Sequence, residues 1–68
     1  MGDDIRDVLM EGRALRVRIV DWHRLSIAHA GTGDPYLPFG CAGAVEWLRR
    51  SGEILDGVEV EEEANDER

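Results

Sequence analysis

The sequence predicts a small α+β domain, a small antiparallel sheet of three to four strands packed by one main helix over residues 41–51. Three patterns carry that expectation. Leu15, Val17 and Ile19 alternate with Arg16 and Arg18, the period of a strand with one buried face. Cys41, Ala44, Val45 and Leu48 recur at helical spacing and form an apolar stripe. Asp56-Gly57, between Ile54-Leu55 and Val58-Glu59-Val60, is a two-residue hairpin signal.

Residues 3–11 read as a short helix. Asp3 or Asp4 can cap it, and Ile5, Val8 and Leu9 fall on one face. A competing reading turns a hairpin at Glu11-Gly12, between Val8–Met10 and Ala14–Val17. Residues 14–21 read as a strand, and 24–30 as a second one with Leu25 and Ile27 on a shared face. A single straight strand from 14 to 30 would span about 55 Å, too long for so small a domain. A tight turn near Asp21-Trp22-His23 is therefore expected to fold it into a hairpin. Residues 31–40, rich in Gly and Pro, read as a loop. The helix over 41–51 ends on Arg49 and Arg50, which suit its negative end, with Gly52 as C-cap. The expected core is Leu15, Val17, Ile19, Leu25, Ile27, Val45, Leu48, Ile54 and Val58. Residues 1–60 form the single domain. Residues 61–68 hold too little apolar surface to offset the entropy of ordering and read as an acidic disordered tail.

A chain of 68 residues allows one domain with a small core. Cys41 is the only cysteine, so no internal disulfide forms, which fits a reducing compartment. No apolar run approaches the roughly 20 residues of a membrane helix. The acidic start Met1-Gly2-Asp3-Asp4 has the wrong sign for a secretory leader. Arg6 stands where a myristoylation signal wants Ser or Thr. A cytoplasmic protein that makes no use of a membrane is expected. All eight basic residues are Arg, which points to GC-rich coding and to a high-GC bacterium or its phage.

The net charge of −7 is unevenly spread. Residues 1–11 carry four acids against Arg6, and residues 12–52 six arginines against three acids. Residues 53–68 carry eight acids against Arg68. A mildly basic body thus lies between two acidic ends.

Few residues carry chemistry. Cys41 sits at a helix start, where a thiolate is favoured, and His23 or His29 could serve as base. No local signature supports a Cys–His pair, so Cys41 reads as a buried small apolar residue. His23, His29, Cys41 and Asp34 could begin a zinc site, but the paired short spacings of such sites are missing. No metal or cofactor is expected. The glycines over 31–43 match neither phosphate-binding fingerprint and read as turn chemistry. Nothing desolvates the acids at the chain ends, so a catalytic carboxylate pair is not expected either.

Two surfaces remain. Glu59, Glu61, Glu62 and Glu63 can imitate the charge spacing of a nucleic-acid backbone and occupy a basic groove on a partner. Arg13, Arg16, Arg18 and Arg24, with Trp22, could instead bind single-stranded nucleic acid, masked by the acidic tail. The bland counterpart is a solvated face whose arginines pair with Glu59 and Glu61 on a neighbouring strand. The favoured function is a non-enzymatic, acidic protein-binding inhibitor or adaptor. In general type it is like small anti-defence (anti-CRISPR-like) proteins, acting as a nucleic-acid mimic against a nucleic-acid-handling complex. A single-stranded nucleic-acid-binding module is the alternative. A homodimer is compatible with so small a core.

Overall fold

A computed structural model describes residues 4–62. The chain runs β1 (Ile5–Met10), β2 (Arg13–Ile19), α1 (Trp22–Gly31), α2 (Cys41–Ser51) and β3 (Val58–Glu62). The sheet is three-stranded and antiparallel in the order β1-β2-β3. The expected α+β class holds, with a small sheet packed against helix.

The N-terminal segment is a strand, not the helix expected over 3–11. Glu11 and Gly12 have φ of 55° and 78° and close a two-residue turn. Positive φ at both central positions matches the right-handed twist of the flanking strands. Strand pairing along the length of Ile5–Met10 outweighs one weak helical stripe.

The second correction concerns residues 24–30, which are helical within α1 rather than a strand. Asp21 is the N-cap, extended at φ −150° and ψ 99°, and its Oδ1 accepts the Arg24 N–H at 3.1 Å. That bond satisfies an orphan donor of the first turn. The helix buries Leu25 and half-buries Ala28 and His29, an i, i+3, i+4 set. Ile27, placed in the core by strand alternation, is 61% exposed.

The Asp56-Gly57 turn is present, but it does not join two strands. Ile54 and Leu55 lie outside regular structure, and the Val58 N–H donates to the Leu55 carbonyl at 3.2 Å. The Gly57 carbonyl accepts from Val20 N at 2.8 Å and Asp21 N at 3.1 Å. This pins the approach to β3 against the start of α1. Glu61 and Glu62 belong to β3 rather than to a tail, and residues 63–68 lie outside the described residues.

The core forms where α1, α2 and two loop leucines cover one side of the sheet. It contains Leu15, Val17, Ile19, Leu25, Leu37, Cys41, Ala44, Val45 and Leu55. Val58 packs against it half-buried, Leu48 is half-buried, and Ile54 is 52% exposed. No polar or charged residue is buried among the described residues. No helix among them is long and apolar enough to cross a membrane.

Candidate functional site

With Leu15, Val17 and Ile19 turned inward, Ala14, Arg16 and Arg18 stand on the opposite, exposed face of β2. The register sets Asp7 and Glu61 beside Arg16, and Ile5 and Glu59 beside Arg18. A central row of guanidinium groups is thus flanked by carboxylates on both neighbouring strands. Arg16 Nε donates to Asp7 Oδ1 at 2.9 Å, and Arg18 Nη2 to Glu59 Oε1 at 2.7 Å. On the other, core-side face, at the hairpin end of the sheet, Arg13 donates to Glu62 in two bonds, 3.1 and 3.3 Å. The hydrogen bond from Arg13 holds the Glu62 carboxyl below its ordinary pKa. Arg13 and Arg18 are raised in turn by bonding to Glu62 and Glu59. Each pair is half exposed, so solvent screens it and it contributes little to stability.

The two residue groups singled out in the sequence therefore meet. Glu59 and Glu61 share the open face with Arg16 and Arg18. Arg13 and Glu62 are not on this face: they share the core side with Leu15 and Val60, against the sequence expectation for Arg13, and Glu63 lies outside the described residues. Arg16 turns toward Asp7, which leaves Glu61 as the β3 carboxylate without an ion pair among the described residues. Arg24 and Trp22 are not on this face. They open α1, where Arg24 faces Asp21 at 3.6 Å and Asp56 at 3.7 Å.

Cys41 is 3% exposed, and its Sγ donates to the Val17 carbonyl at 3.5 Å. It packs within the hydrophobic cluster, as a small apolar residue would. His29 Nε2 lies 2.9 Å from the Leu37 carbonyl oxygen, while His23 is exposed on α1. Asp34 accepts the Tyr36 N–H at 2.9 Å and pairs with Arg50. The Tyr36 N–H first, and Arg50 second, hold its carboxyl below the ordinary range. No three metal-binding side chains gather among the described residues.

An aromatic corner was not read from the sequence. The Trp22 and Phe39 rings lie 5.6 Å apart, and His29 meets Phe39 edge-on at 5.3 Å. Arg6, Trp22, Phe39 and Gly40 line a hollow of about 230 Å³ there. The density of Pro and aromatic residues over 35–39 was the available signal. A larger groove of about 750 Å³ runs beneath the sheet's other end, floored by Leu15, Leu48 and Val60 and flanked by Ile54.

No protein-family model, curated protein or solved structure matches this chain.

Proposed function

We propose that this chain is a small acidic protein-binding inhibitor or adaptor with no catalytic chemistry of its own. Its partner presents a basic surface of the kind that otherwise holds nucleic acid, as in a nucleic-acid-handling complex targeted by an anti-defence protein. The observation that carries this reading is the open sheet face. Its guanidinium groups are occupied by Asp7 and Glu59, whereas Glu61, at the β3 border, makes no ion pair among the described residues. A face whose cations are already neutralised is a poor platform for a phosphate backbone. One with surplus carboxylate, on a chain of net charge −7, steers toward a basic protein.

The test is capture of partners on the tagged chain from a bacterial lysate, with and without nuclease. A stoichiometric protein that survives nuclease supports the proposal. Its binding should weaken, and lose salt sensitivity, when Glu59, Glu61, Glu62 and Glu63 are all changed to Gln. Unchanged binding sinks the acidic-surface reading. Recovery that depends on nucleic acid favours the arginine face instead.

A further inference from the structure

We propose that the free edge of β3 takes up an extended segment of the partner in which basic and apolar residues alternate. The segment would add to the sheet as a fourth strand. This deepens the protein-binding reading and rests on it.

Among the described residues β3 pairs only with β2, so its outer backbone groups have no strand beside them. Such an edge is a template for another strand. The sequence that fits it is already written in the protein. β2 presents Arg16-Val17-Arg18-Ile19 to Glu61-Val60-Glu59-Val58, residue against residue. Basic side chains meet the glutamates on the open face, and apolar ones meet the valines on the core side. An incoming strand with the same alternation repeats this arrangement on the other side of β3.

The edge has capacity for it. Glu61 carries no ion pair among the described residues. Glu59 binds Arg18, but a carboxylate offers about four acceptor sites and can hold a second cation. On the core side Val58 and Val60 are only half-buried. Val60 also floors the groove flanked by Ile54, which gives an incoming apolar side chain a surface to cover.

The same charges select the occupant. A second copy pairing antiparallel about Val60 would set Glu59 opposite Glu61 of its mate, and like charges directly opposite are destabilising. A basic strand gains at the two positions where a second copy loses. The edge is thus closed to self-association and open to a basic partner.

The experiment titrates an acetylated, amidated peptide, Arg-Ala-Leu-Arg-Val-Arg-Ile, into the isotope-labelled full chain at low salt. NMR reads the backbone amides. The peptide copies β2. Expected are shifts centred on residues 58–62, and about tenfold weaker affinity for the Glu59→Gln, Glu61→Gln double variant. A peptide with Glu at its fourth and sixth positions should not bind, and binding should return with Glu59→Arg, Glu61→Arg. N-methylation of alternate peptide amides should abolish binding, since strand addition needs those N–H groups. The proposal is overturned by shifts confined to the Arg6–Trp22 hollow, by equal affinity of the Gln variant, by tight binding of the methylated peptide, or by no shifts at millimolar peptide. Dispersed spectra of each variant verify folding. Should a captured protein partner bind the Gln double variant undiminished, the edge proposal fails while the protein-binding reading stands.

Discussion

Position 57 has no room for a side chain. Gly57 adopts a φ of 88°, and a Cβ there would lie 2.4 Å from the Asp21 carbonyl oxygen and 2.7 Å from the Leu25 nitrogen. Both neighbours are backbone atoms at the start of α1, so neither can swing aside. Relief would require breaking the bonds from Val20 and Asp21 to the Gly57 carbonyl. Gly52 has a similar φ of 77°, but a Cβ there meets nothing within 4 Å. The pair separates backbone strain from crowding. Gly52→Ala should cost about 1 kcal/mol, from left-handed conformation alone. Gly57→Ala should cost roughly 3 kcal/mol or more, because overpacking adds to the strain. Urea unfolding of the two variants measures the difference. Equal losses would mean that the contact between Gly57 and α1 is not rigid.

The hairpin of β1 and β2 carries a local conflict that can be relieved. Its two-residue turn requires positive φ at both positions, and Glu11 sits there at 55°. A side chain of that length in the left-handed region costs about 1 kcal/mol, whereas Asn tolerates it. Glu11→Asn should therefore stabilise the protein by about 0.5–1 kcal/mol, seen as a higher urea midpoint at unchanged slope. A loss of stability would imply that the Glu11 charge near Arg13 outweighs the turn. The same two residues explain what the sequence did and did not disclose. Glu11-Gly12 announced a turn, but the stripe Ile5, Val8, Leu9 fits helical spacing, and nothing local decides between them. The partner strand does, through a register that spans all of β1. Residues 22–31 mislead for a related reason. Leu25 and Ile27 mimic strand alternation, while the information lies in Asp21, whose side chain caps the helix. By contrast β2 and α2 were legible, because each repeats one period strongly enough to bury a whole face. At the candidate site, sequence placed arginines and glutamates on strands. Pairing of these arginines with Glu59 and Glu61 was legible as the solvated-face reading. The register realises it for Arg18 and Glu59, whereas Arg16 turns to Asp7 and Glu61 makes no ion pair among the described residues. The Trp22–Phe39 contact joins residues from α1 and a loop, and no local pattern encodes it.

The molecule as a whole rests on a small core into which one helix, α1, sends a single fully buried side chain. Stability of about 0.05–0.15 kcal/mol per residue gives this chain of 68 residues roughly 3–10 kcal/mol in total. No disulfide supplements it, since the one cysteine is a core residue. Leu25 is fully buried, and it is the one buried residue of α1. It reaches the cluster formed by Val17 and Ile19 of β2 with Cys41, Ala44 and Val45 of α2. Leu25→Ala removes that anchor and leaves a cavity, at a cost of about 2–5 kcal/mol. Set against the total, that loss removes a large share of the stability. The β1–β2 hairpin relies less on α1, since α2 is the helix that packs against both of its strands. Amide exchange in Leu25→Ala should therefore accelerate first over residues 22–31, with β2 amides protected longest. Ile27→Ala, on the exposed side of the same helix, should stay within about 0.5 kcal/mol of the parent. If both variants unfold at the same urea concentration, Leu25 is not the anchor, and α1 is held by its Asp21 cap and the Gly57 contact instead.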